Sequence, residues 1–207
     1  MLEPARIPLS VKVAYTLWMA IWVPVYWRAN GPSNFLWLCD FANFGVLAAL
    51  WLESGLLASA QLAGVLVIQL LWAVDFLSAL VTGAHPIGGT EYMLDSARPL
   101  WLRGLSLFHL WTAPLLVWMV RRLGYDARGW KLQSSLALVL LPLGQQIGTR
   151  EQNLNWMWAP FGMEQRLLPP LFFAVVAVPI VAAVLFWPGH WIARRWLARR
   201  IPDIAQS

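Results

Sequence analysis

Six apolar stretches, each near the length that crosses a bilayer, follow one another along the chain and leave little else to fold. They run over about 7–27, 34–52, 56–81, 104–120, 132–148 and 167–191. A membrane-spanning helix needs roughly 20 apolar residues, so six spans use about 120 of the 207 residues. The remainder makes short loops, and the reading is an all-α, polytopic membrane protein with one domain over 1–207. Composition supports this. Charged residues are 12% of the chain, half of the roughly 25% usual in soluble domains. The 15 Trp residues suit the headgroup level, where an apolar ring with a polar N–H is at home.

Punctuation lies between the stretches. Gly31-Pro32-Ser33 separates the first two, and Glu53-Ser54-Gly55 makes a tight turn before the third. The longest loop, 82–103, carries His85-Pro86, Gly88-Gly89 and Arg98-Pro99. The first stretch reads as a retained span, because it carries Lys12 and lacks a small-x-small site before Arg28. The lone cysteine, Cys39, excludes an intrachain disulfide.

The net charge of +5 is placed at the ends of the spans. It therefore points to topology and lipid headgroups, with no nucleic-acid partner expected. Arg6, Lys12, Arg121, Arg122, Arg128, Lys131, Arg194, Arg195, Arg199 and Arg200 fall on one side, and five basic residues fall on the other. By the positive-inside rule both termini are expected in the cytoplasm.

Polar groups inside spans cost several kcal/mol and are functional candidates by default. Cys39 lies five residues into the second stretch, and His109 lies five into the fourth. Asp75 lies six residues before the end of the third, and Gln145 and Gln146 close the fifth. With alternating directions, these fall in one layer about 8 Å deep on the outer side. No comparable set is expected in the cytoplasmic half. Asn43 shares a helix face with Cys39 four residues before it and is close to Asp40 three residues before it, and Thr112 lies three residues after His109. A thiol, an imidazole and a carboxylate at one depth can make a nucleophilic site, with amides as oxyanion donors. Each residue also has a plainer reading. Cys packs as a small apolar residue, and buried His or Asp often bridges helices.

Three motifs resemble a known group. Leu38-Cys39-Asp40 with Asn43, then Ser106 to Pro114 around His109, then Asn153-Leu154-Asn155-Trp156, are similar in order and spacing to bacterial YwaF-like integral membrane proteins. Those are related to a eukaryotic transmembrane phospholipid acyltransferase and, more distantly, to androgen-induced membrane hydrolases that cleave fatty acid esters. The resemblance implies Cys39 at the nucleophile position, where the distant group uses Thr, and His109 at the catalytic histidine. Two departures stand out. Phe108 and Leu110 flank His109 where relatives carry a second His, and Arg150-Glu151-Gln152 is an insertion.

The expectation is a lipid acyl hydrolase or acyltransferase in the bacterial inner membrane. Cys39 is its nucleophile, His109 its base, and Asp40 or Asp75 its orienting carboxylate. Asn43, Thr112, Gln145, Gln146, Asn153, Asn155 and Trp156 are candidate substrate contacts. No cofactor is expected. One Cys with one His is a poor zinc set, although Asp40, Asp75 and His109 leave a weaker metal reading. A proton-coupled or lipid carrier, and a non-enzymatic lipid-binding subunit, are the alternatives.

Overall fold

The computed structural model describes residues 7–197, and among these there is helix and no strand. Arg6, Arg199 and Arg200 of the charge count lie outside the described residues. Eight α-helices follow: α1 (Leu9–Asn30), α2 (Leu38–Leu52), α3 (Gly55–Thr82), α4 (Leu100–Leu105), α5 (Phe108–Leu123), α6 (Gly129–Ile147), α7 (Pro170–Val181) and α8 (Trp187–Leu197). A π-turn over Ala182–Phe186 joins α7 to α8 without a break in direction.

Four stretches are long and apolar enough to cross a membrane: Leu9–Asn30, Gly55–Thr82, Leu100–Leu123 and Pro170–Leu197. The second expected stretch is shorter as a helix, because 32–36 is a separate 3-10 turn ahead of α2. At 15 residues, α2 rises about 22 Å, less than the roughly 30 Å hydrocarbon core. The fourth stretch is longer than expected. It starts at Leu100 and breaks at Ser106-Leu107.

The loops identify two ends. At one end, Arg98 Nη1 reaches Asn30 Oδ1 at 3.4 Å, and Gln152 Nε2 donates to Ser33 Oγ at 2.9 Å. At the other end, Lys12 Nζ donates to Glu53 at 2.6 Å, and Asp126 N donates to Ser59 Oγ at 2.9 Å. Tyr125 Oη also meets His190 Nδ1 there, at 2.6 Å. The six helical stretches therefore alternate in direction. The two ends are called below the Asp75 end and the Asp126 end.

Helix α3 is the axis, in contact with α2, α5, α6 and the α7–α8 helix. Its Asp126 half is buried all round, from Ala58 through Val65. Small residues permit this. A Cβ on Gly129 of α6 would stand 2.7 Å from Ala60 N, and one on Gly189 of α8 would stand 2.6 Å from Ala63 O. The Asp75 half of α3 buries only one stripe, Gln69, Trp72, Asp75, Phe76 and Ala79. Leu70, Leu71, Val74, Leu77 and Leu80 face outward. In an aqueous setting such an apolar face would be costly, whereas against acyl chains it costs little.

Candidate functional site

The break between α4 and α5 shapes the site. At the end of α4 the chain turns, and the Ser106 carbonyl accepts from His109 N at 3.2 Å. The same carbonyl accepts from the ring Nδ1 of His109 at 2.8 Å. A carbonyl only accepts, so Nδ1 carries the proton and Nε2 presents its lone pair. Trp72 of α3 fixes the ring plane, with centroids 4.6 Å apart and planes within 12°. Phe108 lies at 4.0 Å. His109 is thus a buried base of defined tautomer, oriented by a backbone carbonyl rather than by the expected carboxylate.

Asp75 has a different task. Its Oδ1 accepts from Ile87 N at 2.7 Å and Gly88 N at 3.0 Å. Its Oδ2 accepts from the Thr90 hydroxyl and meets His85 Nδ1 at 3.3 Å. Four groups of the loop after α3 thus converge on one fully buried carboxylate, and none belongs to His109. The orienting role expected of Asp75 is corrected to that of a loop anchor. Asp40 does not orient the ring either. It is buried in the first turn of α2, where the helix dipole favours a carboxylate, and its partner is Asn34 Nδ2. Asp40, Asp75 and His109 do not form a group able to hold a metal ion among the described residues.

Cys39 is buried in the same turn, 8% exposed. No hydrogen bond joins it to His109 among the described residues; the thiol lies in the apolar cluster that also holds Phe108 and Trp22. Asn43 is spent on neighbours: it accepts from Tyr15 Oη at 3.2 Å and donates to the Cys39 carbonyl at 3.4 Å. Thr112 donates to Phe108 O at 2.8 Å, a bond within its own helix. These bonds hold both side chains in place, while Asn43 Nδ2 keeps a second proton and the Thr112 hydroxyl keeps its acceptor lone pairs.

The loop after α6 clamps α2. Asn155 Oδ1 accepts from Leu38 N at 2.9 Å, and Nδ2 donates to Leu36 O at 2.8 Å. The residue preceding α2, Trp37, offers no side-chain cap. Asn155 therefore supplies from 117 positions away the acceptor that a local cap would give. Asn153 folds its own loop, accepting from Trp158 N and Ala159 N, each at 2.9 Å. Trp156 stacks edge-on with Phe161 at 4.7 Å and would lie 3.5 Å from a Cβ at Gly89. These residues hold loops to one another at the Asp75 end. Gln146 is exposed, whereas Gln145 keeps a buried carboxamide with both polar atoms unpartnered among the described residues.

Two tyrosines escape the sequence reading. Tyr26 of α1 meets the Ser106 hydroxyl at 2.5 Å. Tyr92, half-buried on the loop after α3, accepts from Trp72 Nε1 at 3.2 Å. Burial pushes the Tyr92 hydroxyl up to about 12; Ser106 and Trp72 oppose the shift, while Cys39 and Asp40 add to it. Tyr26 sits at the end of an apolar stretch, where aromatic residues read as interface anchors, and Tyr92 lies in the middle of the longest loop, so their hydroxyl chemistry has no sequence signal.

A further set, Gln61 and Gln133 in the Asp126 half and Gln69 near the middle of α3, corrects the expectation that the other half holds no comparable polar set. Gln61 and Gln69 of α3 and Gln133 of α6 are at most 2% exposed. Gln61 Oε1 and both polar atoms of Gln69 and Gln133 have no partner. Gln61 lies against Gly45, and Gln133 against Gly64, where a Cβ would come within 2.4 and 2.5 Å. An open groove of about 630 Å³ at the Asp126 end is lined by Tyr125, Asp126 and Arg128 and has no Cys or His in its wall. Comparison with protein-family models, with curated proteins and with solved structures finds no match to this chain.

Proposed function

We propose that the protein is a six-span enzyme of the bacterial inner membrane, with cytoplasmic termini, that hydrolyses or transfers acyl esters of membrane lipids. The observation that carries this reading is His109. It is a buried base whose Nδ1 is committed to the Ser106 carbonyl and whose Nε2 has no hydrogen-bond partner among the described residues, in one layer with Cys39, Asp40 and Tyr26. Two features favour a lipid substrate. The layer lies beside the apolar outward face of α3, and its depth matches an ester linkage rather than a water-soluble group.

In this mechanism Nε2 takes the Cys39 thiol proton, and the sulfur attacks the ester carbonyl carbon. The carbonyl π pair moves onto oxygen. Collapse restores the carbonyl, breaks the C–O bond and expels the alkoxide, which takes the proton from Nε2. Water or a lipid hydroxyl then loses a proton to Nε2 and attacks the thioester. Its collapse frees the thiol and an acid or a new ester. The Cys39–His109 hydrogen bond forms in the substrate complex, as catalytic bonds of free enzymes commonly do.

Purified protein in liposomes of bacterial lipid tests the reading. Wild type is expected to release fatty acid and lysolipid or to exchange acyl chains, and His109→Ala to lose at least about 10²-fold in rate. Unchanged lipid composition with wild type overturns it. A second reading, a carrier, is favoured by the unpartnered Gln61, Gln69 and Gln133, which extend buried polarity toward the Asp126 end. That reading expects solute or proton flux into liposomes that Gln69→Leu abolishes.

A further inference from the structure

Arg103 is a half-buried cation with no carboxylate paired to it among the described residues. It stands on α4, three residues inside the start of the apolar stretch Leu100–Leu123. Its Nη1 donates to the Met93 carbonyl at 2.9 Å. Its Nε is buried and has no hydrogen-bond partner among the described residues. The two carboxylates of the preceding loop turn elsewhere. Glu91 accepts from Gly89 N at 2.7 Å, and Asp95 accepts from Ala97 N at 2.9 Å. A buried donor left without an acceptor costs about 1–3 kcal/mol, and more when its group is charged. An arginine within an apolar span is a functional candidate by default.

The guanidinium geometry says what satisfies it. Nε–H and one hydrogen of Nη2 point the same way along one edge of the plane, and that fork fits two oxygens of one anion. Elsewhere in this molecule the same edge is used in that way. Arg128 gives Nε to Asp126 Oδ1 at 3.1 Å and Nη2 to Oδ2 at 2.7 Å. Arg166 gives Nε and Nη2 to Glu164 at 3.0 and 2.6 Å. In Arg103 the bond to Met93 takes Nη1. It fixes the plane of the guanidinium and leaves the Nε–Nη2 edge to an anion. A second guanidinium is at hand, because Arg98 lies 5.7 Å from the ring of Tyr92, the residue before Met93.

Position selects the anion. Met93 packs on Trp72 and Phe76, and the Trp72 ring stacks on that of His109 at 4.6 Å. Six positions separate Arg103 from His109, a rise of about 9 Å toward the Asp75 end. A fatty-acid carboxylate at the His109 level lies inward of the fork by that distance. The oxyanion that stands outward of a glyceryl ester is the headgroup phosphate, a few bonds away, and its two unesterified oxygens match the two N–H groups. We infer that the Nε–Nη2 edge of Arg103 is a phosphate-binding site, which seats the headgroup of a phospholipid at the Asp75 end with Arg98 adding positive charge at the rim. The site stands apart from the Cys39 chemistry, since it serves equally a lipid that is cleaved, carried or only retained.

Binding of a short-chain phosphatidylglycerol tests this, measured on the delipidated full chain in nonionic detergent as wild type, Arg103→Gln and Arg103→Lys. A diacylglycerol with the same chains is the probe that lacks phosphate. Lysine keeps the charge and can still reach the Met93 carbonyl, but it offers no planar fork. Wild type is expected to bind the phospholipid about 10-fold or more tighter than either variant, with diacylglycerol affinity within about twofold across all three. Phospholipid affinity undiminished in either variant overturns the inference. A loss of diacylglycerol binding as large as that of the phospholipid shows Arg103 to be a support for the loop through Met93, and also overturns it. Displacement of the phospholipid by an equal concentration of inorganic phosphate assigns the fork to the free anion, and the headgroup assignment falls.

Discussion

The two ends of the bundle solve opposite problems. At the Asp126 end, helices meet backbone to backbone on small residues, and α3 is buried on every side. Polar atoms in that half, Oε1 of Gln61 and both carboxamide atoms of Gln133, have no hydrogen-bond partner among the described residues. At the Asp75 end, α3 is covered on one stripe only, and cohesion comes from polar bonds between segments far apart in the chain. Asp75 gathers the loop after α3, Asn155 caps α2, and Tyr26 meets Ser106. The first end adds backbone-to-backbone packing to the bonds of Lys12, Asp126 and Tyr125, whereas the second rests mainly on bonds that can open.

The largest expected effect is at Asp75. Replacement by Ala leaves two backbone amides and two side-chain donors without their acceptor. Stability measured by denaturant unfolding in micelles should fall by about 3 kcal/mol or more, and the loop should become open to proteolysis near Gly88. A loss under about 1 kcal/mol would remove the contrast between the ends. Next comes Gly129→Ala. Its new Cβ meets backbone, which cannot swing away, and should cost about 1–3 kcal/mol in the same assay; a neutral result would mean the Asp126 end is not tightly packed. Asn155→Ala should cost about 1–2 kcal/mol, as the loss of a helix cap does. Gln69→Leu should be neutral or stabilising by about 1 kcal/mol, because it removes a buried carboxamide that has no partner. A clear loss there would show that Gln69 has a partner after all and would favour the carrier. Gln146→Ala, on an exposed side chain, should stay within about 0.5 kcal/mol.

Much of the architecture is legible in the sequence because apolar length and turn residues act locally. Glu53-Ser54-Gly55 ends α2 and starts α3, with Ser54 Oγ accepting from Leu57 N at 3.2 Å. The break at Ser106-Leu107 is not legible, since Leu-Ser-Leu-Phe continues an apolar helix as readily as it interrupts one. The layer of Cys39, Asp40, Asp75 and His109 follows from helix rise and alternation alone. Their partners do not, because depth carries no lateral information. Asp75 reads as a partner of His109, yet it is the Gly88 and Thr90 backbone and hydroxyl, 13 and 15 positions on, that fold back to it. Gln61, Gln69 and Gln133 are plain in the sequence but uncharged, and a reading centred on ionisable groups passes over them.

The acyl-enzyme is the claim on which the account turns, and intact mass measures it directly. Wild type, Cys39→Ala and His109→Ala are each incubated with a mixed bacterial lipid extract, and the protein is weighed. The account predicts an acyl-sized increment on wild type that is absent from Cys39→Ala and forms far more slowly in His109→Ala. An increment that persists in Cys39→Ala, or none on wild type while the lipids stay unchanged, would contradict it.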